Sequence, residues 1–291
     1  MKSKLIKHEL GFWTVSNKPL SDDLQKYYSE KYYQQGLGSY DLTYSEEEIV
    51  YFKAKIAQRH QVIQRYFKGS GNFLDVGCGE GFALNFFYDS GWNCKGLDFS
   101  SMGVASQNPH VINLLQTGNI FDLLSDEINS GRLYDVVWLQ NVLEHVIDPL
   151  ALMESLKKLI SFDGIVVITV PNDFSLSQKV AIEKGHVFDH YWVVLPDHLN
   201  YFDHHSLTIM AEALGWDCLE LLGDFPVDWF LFNSASNYIQ NRSLGKSAHI
   251  ARVQIENMLN SQPSDQLLQF WASAGRLGIG RDLTVFLRLK C

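Results

Sequence analysis

The chain has 291 residues, 46% of them hydrophobic, enough for one large domain with embellishments and a sizeable core. A formal net charge of -9 argues against nucleic acid as the main partner, because phosphate binding needs a basic footprint. No run approaches the length of a membrane span, and the four cysteines, Cys78, Cys94, Cys218 and Cys291, lack the CxxC spacing of a zinc knuckle or the density of a disulfide frame. Reduced thiols fit a cytoplasmic location, and the opening MKSKLIKHELGFW lacks the apolar stretch of a signal peptide.

Residues 1–45 read as a separate aromatic-rich cap, with Tyr27, Tyr28, Tyr32, Tyr33, Tyr40 and Tyr44 following Phe12 and Trp13. A helix is predicted after Ser21, with Asp22 and Asp23 in its first turn, and Gly36 to Gly38 marks a loop. From Ser45 to about Lys68 the recurrence of Ile49, Phe52, Ile56, Ile63 and Phe67 predicts a long amphipathic helix that starts on Glu46, Glu47 and Glu48.

The central stretch is NFLDVGCGEGFALNFFYDSG. Phe73 to Val76 is an apolar run suited to a buried parallel strand, and Gly77, Gly79 and Gly81 follow at once. Phe82, Phe86 and Phe87 then predict a helix ended by Gly91. Glycines between a strand and a helix let the backbone approach a ligand, and the helix start offers N–H groups to an anion. The next strand, Cys94 to Leu97, ends in Asp98, a carboxylate able to accept from both hydroxyls of a ribose. A dinucleotide fingerprint would need a small residue where Phe82 stands.

The set LDVGCGEG plus GLDFS resembles the class I S-adenosylmethionine-dependent methyltransferases. The resemblance implies a Rossmann-like, doubly wound α/β sheet, mostly parallel with an antiparallel last strand, with S-adenosyl-L-methionine as cofactor. It places Asp75, Gly77, Cys78, Gly79, Gly81, Asp98, Phe99, Asn119, Ile120 and Gln140 around that cofactor. In resembling enzymes the segment before the first strand often folds over the cofactor, so the N-terminal tyrosines either form such a lid or simply pack the segment down.

Ser100 to Gln107 predicts a short helix and Val111 to Leu115 a third strand, followed by TGNIFD. Asn119 stands where the resembling family commonly has an acidic adenine contact; Asp122 either substitutes for it or caps the next helix. The fourth strand, Tyr134 to Leu139, leads to Gln140 and Asn141 at the end of the sheet where ligands bind. Asp148 and Pro149 start a helix predicted through Ile160, and Gly164 to Val170 is the fifth strand.

Glu144 and His145 are candidates for acid and base chemistry, since a carboxylate can orient a neighbouring imidazole and raise its pKa. The same place resembles the ExxEH metal motif of ubiquinone-biosynthesis and small-RNA 2'-hydroxyl methyltransferases, but Asn141 replaces the first glutamate. No metal is assigned. Farther on, GHVFDHYWVVLPDHLNYFDHHSL carries His186, His190 and His198 with Tyr191 and Trp192, without zinc-ligand spacing. Its PDHLNYF portion looks like the matching segment of bacterial methyltransferases of polysaccharide, ubiquinone and natural-product pathways. Asp203 caps a helix to Leu214, which puts His204 and His205 in an exposed first turn and leaves His198 as the second candidate base.

Trp216 to Leu222 and Asp282 to Lys290 read as the last two strands. Residues 46–222 with 282–291 then form the cofactor-binding part, and 223–281 a helical insertion with helices around Ile250 to Leu259 and Asp265 to Trp271. The insertion either completes the substrate pocket or makes a homodimer contact. The expected activity is methyl transfer to a small-molecule acceptor, foremost a hydroxyl of a sugar or related metabolite. An NAD-dependent oxidoreductase, or a non-catalytic S-adenosylmethionine-binding partner, is the alternative.

Overall fold

The computed structural model describes residues 4–19 and 43–290. The helix expected after Ser21, the loop at Gly36 to Gly38, and Tyr27, Tyr28, Tyr32, Tyr33 and Tyr40 lie outside the described residues.

Helix α1 (Glu46–Tyr66) begins in a full capping box between Ser45 and Glu48, with three glutamates in its first turn. It leads into β3 (Asn72–Val76), α2 (Phe82–Asp89), β4 (Asn93–Asp98), α3 (Met102–Gln107), β5 (Leu115–Thr117) and α4 (Ile120–Ser130). Then come β6 (Tyr134–Gln140), α5 (Pro149–Lys157), β7 (Ile160–Pro171), α6 (Leu176–Glu183), α7 (His204–Ala213) and β9 (Trp216–Leu222). After α8 (Gly245–Asn260) and α9 (Ser264–Arg276) the chain closes with β10 (Asp282–Leu289). These strands form one sheet ordered β5-β4-β3-β6-β7-β10-β9, parallel except for β10, which runs antiparallel to both β7 and β9.

The two-residue period of the central strands decides which layer each side chain joins. Leu74, Val76, Val137 and Leu139 pack with α4, α5 and α7 on one face, whereas Phe73, Val136 and Trp138 pack with α1, α2 and α9 on the other. Both faces are therefore covered, as a parallel sheet requires.

A small second sheet joins β1 (Leu5–Lys7), β2 (Trp13–Val15) and β8 (Asn200–Tyr201). It ties the N-terminal segment to PDHLNYF through Trp13 opposite Tyr201.

Two expected boundaries are corrected. Val111 to Leu114 is not strand but part of a 3-10 turn, Pro109–Leu114, because Pro109 has the φ and missing N–H that suit a turn start; β5 is only Leu115–Thr117. The helix starting at Pro149 stops at Lys157, because Ile160 is drawn into β7 opposite Tyr134.

Since β10 reverses direction, β9 ends and β10 begins at the carboxyl end of the parallel strands, where Asp282 lies opposite Pro171. Residues 223–281 thus depart from and return to the side of the sheet where ligands bind in open α/β folds. No helix of the described residues is long and apolar enough to cross a membrane.

Candidate active site

The loop after β3 is held open from within. Gly77, Gly79 and Gly81 all take left-handed backbone conformations. At Gly77 a Cβ would meet Val142 Cγ2 at 2.6 Å, so the loop also runs too close to the loop after β6 to carry a side chain. Asp98 at the end of β4 braces it: Gly79 N–H donates to Oδ2 at 2.8 Å and Ser100 N–H to Oδ1 at 3.0 Å.

Asp75 has a role that spacing did not disclose. Gly81, the N-cap of α2, has no side chain, and the buried Asp75 carboxyl accepts the Leu84 N–H in its place. Burial, reinforced by the charge of Asp98, pushes Asp75 up to about 8. It has no ion-pair partner among the described residues. A buried carboxyl wanting a cation, beside a glycine loop and a helix start, fits the ammonium end of a methionine-derived sulfonium donor.

The remaining expected cofactor residues divide. Cys78 is buried at the loop, and Phe99 is partly buried against the core. Gln140 is at the end of β6, and its Oε1 accepts from Arg59 Nη1 at 2.8 Å. Arg59 was missed by sequence reasoning because it lies on the buried face of α1; its guanidinium sits 5.5 Å from the Trp138 ring centroid. Asn119 is the N-cap of α4, its Oδ1 accepting from Phe121 N–H at 2.9 Å, so the capping role considered for Asp122 falls to Asn119. Ile120 is buried in the core.

The three catalytic candidates come together although 53 positions separate two of them. PDHLNYF clamps the loop after β6: Leu199 and Asn200 N–H both donate to the Glu144 carbonyl, and Asn200 Nδ2 donates to the Val146 carbonyl at 2.7 Å. The His145 and His198 rings meet edge to face with centroids 4.8 Å apart. His145 Nδ1 donates to the Asp197 carbonyl at 2.9 Å, while Nε2 lies 3.7 Å from Glu144 Oε1. Glu144 is 1% exposed and, among the described residues, neither carboxylate oxygen has a hydrogen-bond partner; His198 Nδ1 is likewise buried without one. His186 and His190 lie outside this cluster, His186 against Phe232 and His190 between Phe174 and Trp192.

Environment separates the two imidazoles. Burial opposes charge on His145, but Asp197 and Glu144 outweigh it and hold the pKa up at about 9. Burial and then the positive charge of His145 push His198 down to about 3. Burial raises Glu144 to about 7 against the pull of His145. At neutral pH the site therefore offers an imidazolium beside a neutral imidazole with one unused nitrogen. Glu144, His145 and His198 each offer one ligand atom, all within 4.8 Å of one another, but Asn141 provides no second carboxylate as a fourth ligand.

With this geometry in place, the comparisons are direct. The family described as "Methyltransferase domain" matches residues 50–221, more than half of the chain. The ubiquinone biosynthesis O-methyltransferase of Colwellia psychrerythraea is 26% identical over 148 residues, 49% of this chain and 57% of that protein. The protein of the same name from Haemophilus ducreyi is 30% identical over 162 residues, 52% of this chain and 66% of that one. The chain thus spans less than two thirds of these relatives. Among solved structures, an S-adenosylmethionine-dependent methyltransferase from Archaeoglobus fulgidus superposes with TM-score 0.52 at 18% identity, covering 84% of this chain and 94% of that one. The plantazolicin methyltransferase BpumL, solved with SAH, gives TM-score 0.53 at 15% identity over 93% and 95%. Glycine loop, sheet order and family match agree, and the chain belongs to the class I S-adenosylmethionine-dependent methyltransferases.

Proposed function

We propose that this enzyme methylates a hydroxyl oxygen of a small-molecule acceptor, foremost a sugar or related metabolite, with His198 as the base. The observation that carries the reading is the neutral, unpartnered His198 Nδ1 held against His145 by the PDHLNYF clamp. A hydroxyl must lose its proton as it attacks carbon, and an imidazole with a free nitrogen can take it. The curated relatives named O-methyltransferases support oxygen as the acceptor atom.

S-adenosylmethionine, when bound, supplies an electrophilic methyl group on a sulfonium. The protein's share is alignment, exclusion of water and removal of one proton. Gly77 to Gly81 and Asp98 hold the adenosyl portion, and Asp75 faces the amino-acid end. His198 Nδ1 takes the hydroxyl proton, and Asp197 Oδ2, 3.9 Å from Nε2, steadies the imidazolium so formed. Glu144 balances the charge on His145 and keeps that ring in place.

The test is incubation with labelled donor and a panel of sugar nucleotides, phenols and amines, followed by mass analysis of the products. An O-methyl product that His198→Ala suppresses, with SAH affinity unchanged by calorimetry, is the expected outcome. A methyl group on nitrogen or carbon, or unaltered turnover in both His145→Ala and His198→Ala, refutes it.

A further inference from the structure

Three polar groups behind the catalytic cluster were not singled out by any motif. Asp173 lies two residues beyond β7 and Arg281 immediately before β10, and the pairing of Asp282 with Pro171 brings them together. Arg281 Nη1 donates to Asp173 Oδ1 at 3.0 Å. Asp173 is 1% exposed, yet its Oδ2 is buried with no hydrogen-bond partner among the described residues. The Tyr191 hydroxyl is also buried, facing Asp228 and Tyr238 but without a well-formed hydrogen bond among the described residues. Beside them Asp228, from the insertion, accepts from Tyr238 and Gln178 at 2.7 and 3.2 Å.

This group is continuous with the catalytic cluster. Asp173 N–H donates to the Phe202 carbonyl, and the neighbouring Tyr201 hydroxyl donates to the His198 carbonyl at 2.8 Å. The next residue, Phe174, is a bulky side chain in the left-handed region at φ 54°, wedged against Trp13, Trp192 and Tyr201. Backbone strain of that kind persists where the surroundings enforce a functional geometry.

We propose that Asp173, Arg281 and Tyr191 form a second acceptor subsite that binds two adjacent hydroxyl groups, a vicinal diol. The proposal rests on the reading of His198 as the base of a hydroxyl-methylating site. Asp173 Oδ2 needs a donor, whereas the part of the Arg281 guanidinium not used by Asp173, on a side chain 22% exposed, needs an acceptor. One hydroxyl donates to the carboxylate while its neighbour accepts from the guanidinium, and Tyr191 completes either bond. A carboxylate ligand would satisfy Arg281 and repel Asp173; an ammonium ligand would do the reverse.

The experiment uses full-length protein loaded with SAH and saturation-transfer NMR with methyl α-D-mannopyranoside, methyl β-D-glucopyranoside, catechol, cyclohexanol, benzoate and cyclohexylamine. At least one diol probe binds while cyclohexanol does not, and Asp173→Asn and Tyr191→Phe each weaken it at least tenfold with SAH affinity within twofold. A glycoside response identifies a sugar ring as the source of the diol, and a response from catechol alone identifies an aromatic one. Absence of any diol binding, diol binding equal in native protein, Asp173→Asn and Arg281→Met, or stronger binding of benzoate or cyclohexylamine overturns the proposal. Arg281→Lys and Tyr191→Phe keep it falsifiable should Asp173→Asn fail to fold. Because binding is read without turnover, an N-methylated product with diol binding intact would sink the His198 reading and spare this one.

Discussion

Replacing Asp75 with asparagine separates the structural from the ligand-binding role of the buried carboxyl under the glycine loop. Its pKa rises from 3.8 to about 8, chiefly through burial and then through Asp98. A carboxyl raised on folding gives its full stability below the unfolded pKa and loses it as pH climbs through the folded pKa. At about 1.4 kcal/mol per unit, that interval costs the native protein about 6 kcal/mol by pH 8. Asparagine keeps an oxygen for the Leu84 N–H but adds an amide nitrogen that lacks a partner, an offset of about 1–3 kcal/mol. Asp75→Asn is therefore expected to stabilise the free enzyme by about 3 kcal/mol at pH 8 and not at all at pH 4. SAH affinity is expected to fall on the proposed placement, because the carboxyl that would ionise against the ligand's ammonium group is gone. Urea unfolding followed by tryptophan fluorescence at both pH values, with calorimetry for SAH, measures each. A variant no more stable than native at pH 8, or a gain of equal size at pH 4, would refute the reasoning.

His145→Gln removes the charge that adds to burial in depressing His198, so His198 moves up from about 3 while burial still holds it below its ordinary range, and the acid limb of the turnover profile shifts to higher pH. A profile unchanged by the substitution would disprove that coupling. Asp224, buried between Lys55 and Arg252 at 2.7 and 2.5 Å, also accepts the backbone N–H groups of Arg281 and Asp282 at 2.7 and 2.8 Å. Asp224→Ala takes the ion-pair partner from buried Lys55, leaves Arg252 only Glu256 and Asp282, and is expected to cost about 3–5 kcal/mol in denaturant unfolding. Those same cations hold the Asp224 carboxyl below its usual range against burial, so its contribution is present above the unfolded pKa and disappears in strong acid. Gly103→Ala would set a Cβ 2.4 Å from the Gly79 carbonyl oxygen and displace the loop. Calorimetry is expected to show at least tenfold weaker SAH binding, with the far-UV circular dichroism spectrum retained.

Much of the fold was legible because local rules coincide here. The apolar run Phe73 to Val76, the glycines behind it, the Asp148-Pro149 start and the Asp203 cap are short-range signals, and each appears where local chemistry puts it. Where local and tertiary preferences competed at Ile160, the latter won and drew it from its helical pattern to a place opposite Tyr134; at Pro109 a second local rule, the proline turn start, overrode the apolar pattern and gave 3-10 structure.

The site divides along the same line. Spacing marked the glycine loop and Asp98, since a backbone bend with a carboxylate after the next strand is encoded within about 25 residues, and the donor class followed from the resemblance carried by LDVGCGEG and GLDFS. Only the tertiary structure decided that His145 is held charged and His198 neutral, that Asp75 caps a helix, and that Asp173 meets Arg281. Those properties depend on burial and on partners brought from distant positions, as Asp197 is to His145 and β10 is to β7. A linear pattern records which groups are present; their protonation and pairing arise when folding removes water from around them.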